Sequence, residues 1–111
     1  MPGVVMRRAK TDALAIVAVH WTRQATIDRQ SIFEFVGAAD INAAIALDHV
    51  FSRAAVRLEL FPSMGRPGRV KGMREFVVHR HYLLIYSISG ETVRILRILH
   101  AAQQWPSASG R

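Results

Sequence analysis

Apolar positions follow two different spacings along the chain, and the change between them divides it into parts. Ala13-Leu14-Ala15-Ile16-Val17-Ala18-Val19 is short, rich in β-branched residues and gives way to polar Thr22. That pattern predicts a strand buried on both faces, paired inside a sheet rather than at a solvated edge. Thr22 can cap a helix from about Arg23 to Val36, with Ala25, Ile32, Phe35 and Val36 on one face at three- and four-residue steps. Gly37-Ala38-Ala39-Asp40 stops it, and Asp40 can cap a second, longer helix in which Ala44, Leu47, Phe51, Ala55 and Leu58 recur until Pro62. Pro62-Ser-Met-Gly-Arg-Pro-Gly is turn chemistry, after which the spacing becomes extended. Met73 to His79, His81 to Ile88 and Thr92 to His100 read as strands, the last two separated by Ser89-Gly90-Glu91.

The predicted architecture is α+β: an N-terminal strand, an antiparallel helical hairpin, then a three-stranded antiparallel meander completing one sheet. Residues 13–106 form a single domain, residues 1–12 a loose basic arm or a start codon placed too early, and residues 107–111 a tail. Composition agrees with one packed domain, since 50% of the 111 residues are apolar while Gly and Pro number only 7 and 4. The absence of cysteine excludes a disulfide framework, a thiolate zinc site and a Cys nucleophile. The run from Ala13 to Val19 is far short of the roughly 20 residues needed to span a bilayer. Arg7, Arg8 and Lys10 faintly imitate a signal peptide, but Val19-His20-Trp21 offers no small-residue cleavage site, which predicts a cytoplasmic chain.

Charge adds a direction. Fifteen Lys and Arg against eight Asp and Glu give +7, so the chain should attract polyanions or an acidic protein. The densest stretch, Arg66 to His81, carries Arg66, Arg69, Lys71, Arg74 and Arg80 against the single acid Glu75. Guanidinium pairs suit phosphate, and a solvated basic surface explains the cluster equally well. Gly65-Arg-Pro-Gly-Arg-Val-Lys-Gly72 is no nucleotide loop, because no Lys-Ser or Lys-Thr pair opens a helix after it. His79, His81 and His100 titrate near neutrality and could move protons, though exposed turn histidines are common. They lack the spacing of a zinc site, and neither a metal nor a cofactor is predicted. Tyr82, Tyr86, Phe76 and Trp105 could stack on RNA bases or serve as packing. The Gly-x-Ser-x-Gly elbow and paired-carboxylate motifs are absent.

Met64-Gly-Arg-Pro-Gly, Lys71-Gly-Met-Arg-Glu-Phe, Tyr82-Leu-Leu-Ile-Tyr86 and Val93-Arg-Ile-Leu-Arg-Ile-Leu-His100 occur in that order after Trp21-Thr22, Ala25 and Asp28. Together they resemble the RelE/ParE superfamily of bacterial type II toxins, over about Ala15 to Pro106. The resemblance implies a growth-arresting toxin, hetero-oligomeric with a cognate antitoxin protein whose extended, helix-bearing segment wraps the basic surface. Two mechanisms divide the superfamily: ParE-like members bind and poison DNA gyrase, whereas RelE-like members cut mRNA on the ribosome; a basic binding module without toxicity is a third reading of the same residues. The Ile98-Leu-His-Ala-Ala-Gln-Gln-Trp-Pro106 ending and the long second helix resemble the ParE-like side. For RNA cleavage the candidate catalytic groups are Arg74, His81, Tyr86 and His100, with Lys71 beside them; for target binding they are Arg66, Arg69, Lys71, Arg80 and Trp105. Arg29 departs from the family pattern, which usually has an apolar residue there.

Overall fold

A computed structural model describes residues 17–103 and Trp105. The predicted arm, Ala13 to Ile16 of the predicted first strand, and the tail lie outside the described residues. The order is β1 (Ala18–Trp21), α1 (Arg23–Ala39), α2 (Ile41–Leu60), β2 (Arg66–Pro67), β3 (Arg74–His79), β4 (Tyr82–Ser89) and β5 (Thr92–His100). They build one helical hairpin and one five-stranded sheet ordered β1-β5-β4-β3-β2. Every pairing is antiparallel except β1 with β5, which is parallel.

Both predicted caps form. The Thr22 hydroxyl accepts from the Ala25 amide at 3.2 Å, and the Asp40 carboxylate accepts from the Ala43 amide at 3.1 Å. Asp40 also closes α1, its own amide donating to the Val36 carbonyl, so one residue ends a helix and starts the next. This brings α1 to Ala39, three residues past the predicted end. The inner face of α2, with Leu47, Phe51, Ala54 and Leu58, packs with Ala25 of α1 on Phe76, Leu84, Tyr86, Val93, Ile95 and Ile98 of the sheet. The opposite sheet face carries a smaller cluster of Leu83, Ile85 and Leu99, flanked by Met73, Leu96 and Trp105.

The structure corrects three expectations. First, β1 is an edge strand that alternates exposed Ala18 and His20 with half-buried Val19 and Trp21. One apolar face is enough there, because the hairpin covers the sheet on a single side. Second, Phe35 is 80% exposed rather than part of the core, since only Ala25 of α1 is fully buried. Third, the turn after Pro62 contributes a strand of its own, β2, which pairs Arg66 and Pro67 with Glu75 and Arg74.

Ionic contacts fasten α1. Arg29 pairs with Asp48 of α2 through Nε at 2.6 Å, donates to Ser52, and lies 4.8 Å over the Trp21 ring. That explains a charge on an otherwise apolar helix face: the guanidinium closes the hairpin and its flat face covers an aromatic ring. Asp28 accepts from Arg97 at 2.7 Å and from the Ile98 amide at 3.0 Å, tying α1 to β5. The register of β5 shifts against β4 between Ile85 and Tyr86. Thr22 meets the sheet near that shift, its amide donating to the Ile95 carbonyl at 3.0 Å and its hydroxyl to the Leu96 carbonyl at 3.3 Å.

Candidate functional site

Apart from Trp105, the predicted site residues separate into two groups at different places on the sheet. The first surrounds the turn from Pro62 to Gly68. Tyr86 is fully buried; its hydroxyl donates to the Pro62 carbonyl at 2.6 Å and accepts from the Gly65 amide at 3.0 Å. A Cβ at Gly65 would stand 2.7 Å from that hydroxyl and 2.8 Å from the Glu75 carbonyl, so only glycine lets the backbone come this close. Arg74, opposite Tyr86 in the ladder, donates to the Ser63 carbonyl at 2.9 Å and to the Gly65 carbonyl at 2.6 Å. Its Nε is buried without a partner.

Glu75 is only 4% exposed and organises the rest of this group. Its carboxylate accepts from Arg66 at 3.1 Å, from Arg69 Nε at 2.7 Å and from the Arg69 amide at 3.1 Å. The Arg69 guanidinium, aided by the Arg69 amide and Arg66, holds the Glu75 carboxyl at a pKa of about 2, against the pull of burial in the other direction. The same contact with Glu75 raises the pKa of Arg69. The densest run of positive charge in the sequence is therefore partly neutralised from within, while Lys71 is exposed.

The second group gathers where β3 and β4 turn and β5 ends. His81 and His100 stack with ring centres 5.5 Å apart; His79 lies 5.6 Å from His81, and Tyr82 meets His100 edge-on at 5.5 Å. Arg80 is exposed in the same turn. The pairing of Tyr82 with His100 brings these residues together across the ladder. They border a groove of about 520 Å³, walled on the helix side by Phe35, Val36, Ala43, Ala46, Leu47 and Val50. The exposed ring of Phe35 thus has a role as a groove wall. Partial desolvation among the rings, then the charges of Arg80, His100 and His79, lower the pKa of His81. Among the described residues no three His, Asp or Glu side chains converge to hold a metal ion.

The structure brings His81 and His100 together and adds His79 and Tyr82 to them. It does not bring Arg74 and Tyr86 to that surface, because both are committed to the turn. Trp105 is half-buried against the Leu83, Ile85 and Leu99 cluster, on the sheet face away from the hairpin. Sequence reasoning missed the clustering of the histidines with the groove. Hairpin counting carries a signal for it: from Ser89 opposite Thr92, pairs sum to 181, which without the register shift would set residue 81 opposite 100, one residue from the observed partner Tyr82.

A family model described as the ParE toxin of type II toxin-antitoxin systems matches residues 19–105, nearly all of the described chain. The chain belongs to the ParE toxin family. This ParE-family chain is 36% identical over 89 residues to the "Putative toxin Y4kP" of Sinorhizobium fredii, covering 79% of this chain and 92% of that protein. A solved chromosomal ParDE system of P. aeruginosa contains a chain of the same fold, with a TM-score of 0.69 at 23% identity over 78% of this chain and 97% of that one. The toxin-antitoxin complex RelBE2 of Mycobacterium tuberculosis gives a TM-score of 0.56 at 25% identity, over 81% and 97% respectively. The fold and the superfamily expected from the sequence are thereby established for this ParE-family toxin. Among its described residues no helix is long and apolar enough to cross a membrane.

Proposed function

We propose that this toxin arrests growth by inhibiting DNA gyrase and is neutralised by a cognate antitoxin with which it forms a hetero-oligomer in the cytoplasm. The observation that carries the gyrase reading is the state of Arg74 and Tyr86. Phosphodiester cleavage needs a group to move the 2′-OH proton and cations aimed at the developing phosphate charge. Two of the four candidates for that work, Arg74 and Tyr86, are held by the backbone of residues 62–65, and Tyr86 has no exposed surface. The match to a ParE family model supports the same side. A protein antitoxin is supported by the solved RelBE2 complex, whose toxin-antitoxin chains include one of this fold, and by the net charge of +7, which suits an acidic partner. Lys71, Arg80 and the outward parts of Arg66 and Arg69 are the surface cations that would meet such partners.

Ribosome-dependent mRNA cleavage is the second reading, and the exposed imidazoles of His81 and His100 beside Arg80 favour it. A pulse of expression with labelled thymidine, uridine and methionine separates the two. The gyrase reading expects thymidine incorporation to fall first, with a DNA-damage response. Early loss of methionine incorporation with fragmented mRNA would overturn it in favour of the nuclease. Growth unaffected by expression would remove both readings.

A further inference from the structure

Two of the three imidazoles at the groove mouth use a ring nitrogen as an acceptor. His79 Nδ1 accepts the His81 backbone N–H at 3.1 Å, and His100 Nδ1 accepts the Ala102 backbone N–H at 3.1 Å. A nitrogen that accepts carries no proton, so each of these bonds requires the ring form with its proton on Nε2. Such a ring offers Nε2 as a hydrogen-bond donor and not as a metal ligand. Each bond also closes a turn, and the two turns are laced together, since the Ala101 amide donates to the His81 carbonyl at 2.8 Å.

Protonation is incompatible with this arrangement. An imidazolium holds hydrogen on both nitrogens, so His79 or His100 must release its backbone donor on taking a proton. The new charge then stands 5.5 to 5.6 Å from the next imidazole, with Arg80 in the same turn. The elements packed against the groove offer no compensation: α1 and α2 contribute only apolar side chains to its wall, and the remaining polar group is the Tyr82 phenol. Desolvation first, and then these same neighbouring charges, lower the pKa of His81.

We propose that His79, His81 and His100 form a proton-operated switch at the groove mouth. In the neutral state the imidazoles hold both turns closed and border the groove with uncharged rings. In the protonated state the His81 and Ala102 amides are released and the mouth carries a ring of cations around Arg80. Acid thereby converts a mouth suited to an apolar side chain into one suited to an anionic group.

The test is amide hydrogen exchange on the full chain, corrected for the intrinsic pH dependence of exchange, together with ¹⁵N detection of the histidine tautomers. Near pH 7.5, His79 and His100 should show the Nε2–H tautomer and the amides of His81 and Ala102 should be protected. Towards pH 5.5 that protection should fall by about tenfold or more as the imidazoles titrate, while the Leu84 and Ile98 amides keep theirs. His79→Asn and His100→Asn supply an acceptor oxygen that does not titrate in this range, and should make the protection of His81 and Ala102, respectively, independent of pH. The Nδ1–H tautomer at neutral pH would overturn the proposal, as would protection that survives imidazole titration. Loss in step with the Leu84 and Ile98 amides would also overturn it, by showing general unfolding instead of a local switch.

Discussion

The turn around Gly65 and the histidine mouth are both built from basic residues on β3 and its neighbours, yet their polar groups are used in opposite ways. At the turn, Arg66, Arg69 and Arg74 are bound to Glu75 or to backbone carbonyls, and Tyr86 is sealed beneath them. At the mouth, the imidazoles lie against one another beside an apolar groove whose described lining holds no carboxylate. The difference teaches that charge density in a sequence does not locate a site. Five basic residues in sixteen suggest an anion-binding loop, but one buried acid binds two of them, Arg66 and Arg69, and backbone carbonyls hold a third, Arg74. Lys71 and Arg80 stay exposed, and the groups whose bonding depends on pH near neutrality are the less conspicuous histidines.

Breaking the scaffold should have the largest effect. Tyr86→Ala removes a fully buried ring and both hydrogen bonds to the turn, and should destabilise the fold by about 3–5 kcal/mol in denaturant unfolding. Glu75→Gln comes next, at about 1–3 kcal/mol, because it removes the carboxylate shared by two arginines and an amide. Its signature is a pH window. The folded-state pKa of about 2 lies below the ordinary carboxylate value, so the Glu75 contribution is present above the ordinary value and is lost as pH falls toward 2. Thermal unfolding of the wild type should therefore weaken over that acid range, and Glu75→Gln should flatten the response. The smallest effect belongs to the mouth. The His81 pKa is lowered on folding, so its contribution is present above the ordinary imidazole value and declines as pH falls through it. His81→Asn should reduce the slope of melting temperature against pH between about 8 and about 5.5 and leave the melting temperature near pH 8 little changed.

Much of the fold was legible because local chemistry and long-range packing agree. Thr22 and Asp40 are cap residues at the start of apolar periods, and both cap as expected. The last three strands lie within a residue or two of their predicted ends, since their apolar content leaves little freedom of register. Failures came where a residue's neighbours lie far away in sequence. Val17, Val19 and Trp21 alternate with Ala18 and His20, a one-sided pattern that the unbroken apolar run disguised. Phe35 has helical spacing, but the sheet does not reach it, and it walls the groove instead. β2 is too short for any periodicity to reveal. In the hairpin, Arg29 looked anomalous only because Asp48 lies on the other helix, and at the candidate site the binding of Arg66 and Arg69 by Glu75 depends on a turn whose path the sequence does not specify.

The central claim is that the arginine and tyrosine a nuclease would use are scaffold, and that toxicity comes from a protein target. Supercoiling of relaxed plasmid by purified gyrase, titrated with the purified toxin, tests it most directly, with translating ribosomes and mRNA as a parallel reaction. The account predicts inhibited supercoiling and intact mRNA. Unimpeded supercoiling together with cleaved mRNA would contradict it.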